Sequence, residues 1–301
     1  MPSQLAEVAL DHAAGRRSLV LAAAGEAAAI WSQVDPGRIA QSWTSSLARL
    51  LVLVTGAQRA AAVRADRYLD DALDAQDLDP GREGRVLAAG LSGVASDGRD
   101  LLGLLYQPAV TALVGIRDGA GPGRALASGG AALDMIVRTQ VADAGRAADQ
   151  VGMTARPQVT TYVRMLVGKS CSRCAILAGR RYERDAAFNR HPRCDCIGVP
   201  SREDTADDVR TDPKRYFASL SRAEQDRLFT KAGAEAIREG ADIAQVVNAR
   251  RGMYTAAGGV KATRVGARRR RVRLLPEECL RQAAGDRATA LRLLRTHGYL
   301  I

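Results

Sequence analysis

The stretch CSRCAILAGRRYERDAAFNRHPRCDC, Cys171 to Cys196, holds four of the chain's five cysteines and one of its three histidines. The spacing is C-x2-C-x16-H-x2-C-x-C, through Cys171, Cys174, His191, Cys194 and Cys196. Zinc takes four nitrogen or sulfur ligands in a tetrahedron, and a C-x2-C pair lets two thiolates converge on one ion from a tight turn. The second half of the stretch must return and offer two more. Five candidates exist for four places. Cys194 and Cys196 are one residue apart, so in an extended chain they point to opposite faces. His191 with Cys196 is the favoured completing pair, and Cys194 is the alternative. Pro192 stiffens the turn that presents His191. Soft thiolates with an imidazole select Zn²⁺.

Other chemistries fit less well. A C-x-C pair cannot easily bridge itself, and stable disulfides need an oxidising compartment. A thioredoxin-type pair belongs at a helix N-terminus in a βαβ unit, a context missing here. A deaminase pairs H-x-E with P-C-x-x-C, whereas Pro-Arg follows His191. Reduced cysteines without metal are the plain alternative. A structural metal staple is the expectation, with no catalytic residue assigned. His12 and His297, near the two ends, have no recognisable partner, and neither a G-x-S-x-G nor an H-E-x-x-H motif occurs.

Outward from this stretch the chain reads as helical. Ile39, Trp43, Leu47, Leu50, Leu51 and Val54 fall on one face of a 3.6-residue period, opened by Asp35-Pro36-Gly37. Helical patterns cover roughly 4–33, 38–75, 82–96, 99–115 and 124–149. Abundant alanine with few aromatics predicts small side chains where helices meet. After Arg156-Pro157, VTTYVRMLV (Val159–Val167) reads as a strand. Beyond the acidic run Arg202–Asp208, Ser221 to Glu224 matches a capping box and starts a helix expected to reach about Glu239. A second helix begins near Asp242, Ala256–Gly259 reads as a hinge, Pro276 opens a short helix, and Asp286 caps the last one. The expected fold is mainly α, with a small zinc-stapled α+β module in the middle and a helical, basic C-terminal part. The expected domains are 1–154, a helical docking and assembly region; 155–201, the zinc module; 202–260, a helical segment; and 261–301, a basic tail with short helices.

The formal net charge of +11 is unevenly placed. Residues 1–155 carry 14 Lys/Arg against 17 Asp/Glu, 156–200 carry 9 against 3, and 261–301 carry 11 against 3. Such concentration fits a polyanionic neighbour. Arg268, Arg269, Arg270, Arg271 and Arg273 are the expected contacts to nucleic acid or an acidic protein. The densest apolar run, Leu50–Val54, is far shorter than the roughly 20 residues that span a bilayer. Gly15–Ala29 has a twin-arginine look, but Glu7 and Asp11 precede it and Glu26 interrupts it. A reducing compartment is expected, with no membrane and no small-molecule substrate.

The cysteine stretch resembles the core of MuF-type phage head morphogenesis proteins, the minor capsid proteins of tailed phages. The family pattern is C-x2-C, Leu-x-Gly, His-Pro-x-Cys-x-Cys and a nearby proline. It is matched at Cys171, Cys174, Leu177, Gly179, His191, Pro192, Cys194, Cys196 and Pro200. YVRML before it, GADIAQVVNARRGM (Gly240–Met253) after it and the terminal LRLLRTHGYL (Leu291–Leu300) are similar to the actinobacteriophage branch. The resemblance covers about residues 155–301. It implies a structural, non-enzymatic virion protein at the portal vertex, present in the host cytoplasm during assembly and then inside the head. Its implied partners are the portal protein, the major capsid or scaffold proteins, and packaged double-stranded DNA. A capsid maturation protease is the alternative label in such phages. A zinc-containing nucleic-acid-binding protein is a further alternative, because Ser221–Arg250 and Pro276–His297 each look like two helices around a glycine turn.

Overall fold

The computed structural model describes residues 3–168, 170–184, 186, 196–200, 210–264 and 272–300. The chain is mainly helical, with small sheets. It forms two compact units. One comprises Met1–Val167 and Arg181–Asp204, the other Gly168–Arg180 and Thr205–Ile301. The division does not follow the consecutive segments expected from the sequence, because residues 155–201 are shared between the units.

In the first unit, α1 (Gln4–Trp31), α2 (Ile39–Val63), α3 (Ala65–Asp74), α4 (Leu101–Arg117) and α5 (Pro122–Thr154) form the helical part. The stripe expected on α2 is the buried one: Trp43, Leu50 and Val54 are fully covered. The indole N–H of Trp43 donates to the Leu105 carbonyl at 3.0 Å, and Trp31 meets its ring edge-on at 4.7 Å. Burying an aromatic of this size, with its N–H satisfied, anchors the helix pair. Small residues do line the contacts. Ala27, Ala61, Ala109, Ala112 and Ala125 are all buried. α2 and α3 together, Ile39–Asp74, are long and apolar enough to cross a membrane by length and composition, a longer stretch than Leu50–Val54 alone suggested. Here their buried face forms core, and it includes Gln58, whose amide binds the main chain of Gly93 and Val94.

Residues 82–96 are the main departure. Only Ala88–Leu91 makes a helical turn, of the 3-10 kind. The segment takes its shape from distant side chains: Gln58 holds Gly93 and Val94, and Gln140 Oε1 accepts from the Ser96 N–H at 2.7 Å. Gly93 and Gly98 adopt positive φ, which ends any helix there.

The expected strand is β1 (Thr161–Met165). It is the middle strand of a sheet ordered β2 (Arg181–Glu183), β1, β3 (Ile197–Pro200), antiparallel throughout. Val159, Tyr162, Met165, Ile197 and Val199 share one core with Leu5 and Ala9 of α1 and with Tyr68, Leu69 and Leu73 of α3. This sheet therefore has no core of its own and is completed by the helices.

The second unit begins with the one-turn α6 (Ser172–Ala175) and continues with α7 (Pro213–Ser219), α8 (Arg222–Phe229), α9 (Lys231–Arg238) and α10 (Ile243–Ala249). The capping box is present: the Glu224 N–H donates to Ser221 Oγ, and the Ser221 N–H to Glu224 Oε2 at 3.0 Å. The single helix expected to Glu239 breaks at Thr230, whose φ of 67° separates α8 from α9. The expected hinge at Ala256–Gly259 is the turn of a hairpin. β4 (Met253–Thr255) pairs with β5 (Lys261–Thr263), and β5 with β6 (Arg273–Leu274). Then α11 (Pro276–Ala283) and α12 (Arg287–Thr296) follow, the second capped by Asp286 as expected. Leu275, Cys279, Leu294 and Tyr299 are the fully buried centre of this part.

Candidate functional site

Of the five expected ligands, Cys171, Cys174 and Cys196 are described, while His191 and Cys194 lie outside the described residues. Cys171 sits at the N-cap position of α6, and Cys174 lies within that turn, 2% exposed. The spacing called for a tight turn; the pair instead spans the first turn of a short helix, with Cys171 at its N-terminus, though not within a βαβ unit. The turn is fixed by its own unit. The Tyr216 hydroxyl of α7 donates to the Ser170 carbonyl at 2.8 Å, next to Cys171. Gly179, the glycine of the Leu-x-Gly pattern, has φ +68° and lies against the Thr211 carbonyl. A side chain there would strike that oxygen, so the motif needs glycine for two separate reasons.

Cys196 belongs to the first unit, immediately before β3, and is fully buried. Nη2 of Arg164 lies 3.6 Å from its sulfur and donates to it. Arg164 is itself 1% exposed, in the middle of β1. Arg164 carries no role in the sequence reading. Its signal was present: it is the only charge within the apolar run Val159–Val167. Among the described residues no group of three or more His, Cys, Asp or Glu side chains is placed to hold a metal. The fifth cysteine, Cys279, is buried in the second unit. Burial, and then the nearby Glu278, pushes its thiol up to about 12, so it stays protonated and unreactive.

The basic cluster divides in a similar way. Arg268, Arg269, Arg270 and Arg271 lie outside the described residues. Arg273 corrects its expected role as a partner contact, being only 5% exposed. Its Nε donates to the His297 carbonyl at 2.8 Å, its Nη2 reaches Gln245 Oε1 at 3.1 Å, and its guanidinium covers the Tyr299 ring at 4.3 Å. These groups turn the last arginine of the run into packing for β6 and the C-terminal helices.

His12 is a further correction, because it has a partner far away in sequence. Its Nε2 is 2.9 Å from Oδ1 of Asp149, and Nη1 of Arg16 donates to Oδ2 at 2.8 Å. Tyr68 stacks on the imidazole at 4.0 Å and gives its hydroxyl proton to the Gly198 carbonyl at 2.9 Å. All four side chains are buried. Burial alone would raise the Asp149 carboxyl, but His12 and Arg16 outweigh it and hold it below the ordinary carboxylate range. Burial presses the Arg16 guanidinium down even with Asp149 beside it. The cluster ties α1, α3, α5 and β3 together. His297, by contrast, accepts the Leu274 N–H at Nδ1, and its pKa is lowered by burial and then by Arg273.

The family model for VG15 protein matches residues 6–223, more than two thirds of the chain. The chain belongs to the VG15 protein family. VG15 is a family of phage or viral gene products, and this chain is one of them. The VG15 match runs from α1 through the cysteine stretch to the start of α8. It thus takes in the helical N-terminal half, where the resemblance read from the cysteines carried nothing. β4 to β6 and the last helices lie beyond the VG15 match. No curated protein and no solved structure matches the chain.

Proposed function

We propose that this VG15 protein is a structural component of a phage head: a minor capsid protein of the MuF head-morphogenesis type, associated with the portal and packaged inside the capsid. The observation that carries the reading is the Cys171–Cys196 pattern inside a VG15 match. Its C-x2-C sits on a turn whose Gly179 is sterically required. The helical first unit, with small residues at its contacts, is the docking part, toward portal, major capsid or scaffold protein. The Arg268–Arg271 run is offered to packaged double-stranded DNA. The role is assembly rather than catalysis. His12 and Asp149, the histidine–carboxylate pair among the described residues that a protease reading would seize on, are buried under Tyr68 and braced by Arg16. Protein identification in purified virions and procapsids tests the proposal. The chain is expected in both, at low copy relative to the major capsid protein, and its absence from both sinks the reading.

The same proposal includes a structural zinc ion. Cys171, Cys174, His191 and Cys196 are its ligands, with Cys194 the alternative to Cys196. Thiolate and imidazole donors fit zinc. Bound there, the ion supplies folding free energy. Metal analysis of the purified chain is expected to give about one zinc per molecule, and Cys171→Ser to remove it and loosen the fold around α6. Zinc-free protein with undiminished stability in chelator refutes this part alone.

A further inference from the structure

From Ile243 to Pro276 the chain contains no Asp or Glu, yet it carries Arg250, Arg251, Lys261, Arg264, Arg268–Arg271 and Arg273. Elsewhere arginines are regularly matched by carboxylates: Arg156 with Asp66 and Asp70, Arg138 with Asp134, Arg238 with Asp226, Arg287 with Glu239. Within the acid-free stretch, Arg250 reaches Glu277 at 3.8 Å and Arg273 is buried. Arg251, Lys261 and Arg264 are different. All three are exposed, Lys261 lies in the β4–β5 hairpin and Arg251 and Arg264 flank it, and none has an ion-pair partner among the described residues.

The hairpin also holds its cations in place. Arg264 lies over the Tyr254 ring at 5.5 Å, and Lys261 donates to Thr255 across the strand pair at 3.2 Å. Its turn is uncovered. Gly258 and Gly259 take positive φ, and a methyl group on either would meet no atom within 4 Å. A glycine tip allows close backbone approach to a ligand. We infer that the β4–β5 hairpin, through Arg251, Lys261 and Arg264, is a contact surface for the phosphate backbone of duplex DNA. The groups are suited to it: a two-stranded ribbon fits the major groove, and exposed cations without carboxylate partners release counterions when they meet phosphates. An aromatic carrying a guanidinium completes the surface. Tyr254 and its hairpin lie beyond the VG15 match, so this contact belongs to the part of the chain that the family does not describe. Choosing DNA over an acidic protein rests on the phage-head reading above; the surface itself does not.

The test uses the full chain and a short labelled duplex, with binding followed by fluorescence anisotropy as sodium chloride is raised. The variant R251A/K261A/R264A is expected to bind at least about ten-fold more weakly, with the slope of log K against log salt shallower by about 2.7 for three lost phosphate contacts. The comparison variant R38A/R59A/R67A removes as many exposed cations from the first unit and is expected to keep the original slope. Equal losses in both variants would reduce the effect to net charge and overturn the inference. So would an unchanged slope in the hairpin variant, or displacement of the duplex by polyglutamate at equal charge more readily than by unlabelled duplex. Should the triple variant lose its helical circular dichroism, Lys261→Glu alone decides: binding weakened about ten-fold supports the surface, and wild-type binding overturns it. Because the assay needs no virion, its failure leaves the head location standing, and absence from virions leaves this surface standing.

Discussion

Asp149→Asn is expected to destabilise the first unit by about 3 kcal/mol, the cost of leaving a buried charge without its partner. The carboxylate sits between His12 at 2.9 Å and Arg16 at 2.8 Å, and none of the three is more than 5% exposed. Asparagine keeps the shape and one acceptor, but it leaves the Arg16 guanidinium buried and uncompensated. Both tryptophans, Trp31 and Trp43, lie in this unit, so the fluorescence change on urea unfolding reads it directly. A shift in the midpoint without a change in slope is the expected form. The pH dependence follows from the sign of the Asp149 shift. Its carboxyl is depressed in the folded chain, so its contribution is fully present above the unfolded value, about 4, and is lost as pH falls through the lower folded value. The wild type should therefore weaken on that acid limb, and Asp149→Asn should flatten it. A variant as stable as wild type with an unaltered acid limb would show that the cluster contributes nothing.

Gly179→Ala is expected to cost the second unit about 3 kcal/mol. Roughly 1 to 2 of this comes from placing a side chain at left-handed φ, and the remainder from overlap with the main chain. The methyl carbon would lie 2.2 Å from the Thr211 carbonyl oxygen, and backbone cannot swing aside as a side chain can. Tryptophan is absent from this unit, so far-ultraviolet circular dichroism should shift more than tryptophan fluorescence. Coincident, unshifted transitions would count against the steric account of this glycine.

The legible parts of the sequence were those set by near neighbours. The α2 stripe, the Ser221–Glu224 box and the Asp286 cap depend on residues three or four positions apart, and all are present. What could not be read was set by distance along the chain. Residues 82–96 look helical by period, yet Gln58 and Gln140 impose a loop on them. β4 to β6 are two or three residues each, too short for alternation to register. The His12–Asp149 pair spans 137 positions, and no local pattern announces it. Arg273 looked like the end of an exposed run because charge was counted without strand direction, and Tyr299 and the helix-end carbonyls draw it inward. Cys171, Cys174 and Gly179 were legible through the family pattern, and the structure adds the steric reason for the glycine.

The order β2–β1–β3 has a consequence for synthesis. β1 is the central strand, but both of its neighbours are encoded after it, and β3 ends at Pro200. Until the ribosome has added the roughly 35 residues that follow Met165, an interval of about 2 to 7 s at ordinary elongation rates, at least one edge of β1 is uncovered. The helices α1, α3 and α5 meanwhile wait with the apolar faces that Ile197 and Val199 will cover. The newborn chain is most vulnerable to self-association in that interval, and a chaperone acting on it would meet its client just before the cysteine stretch is complete.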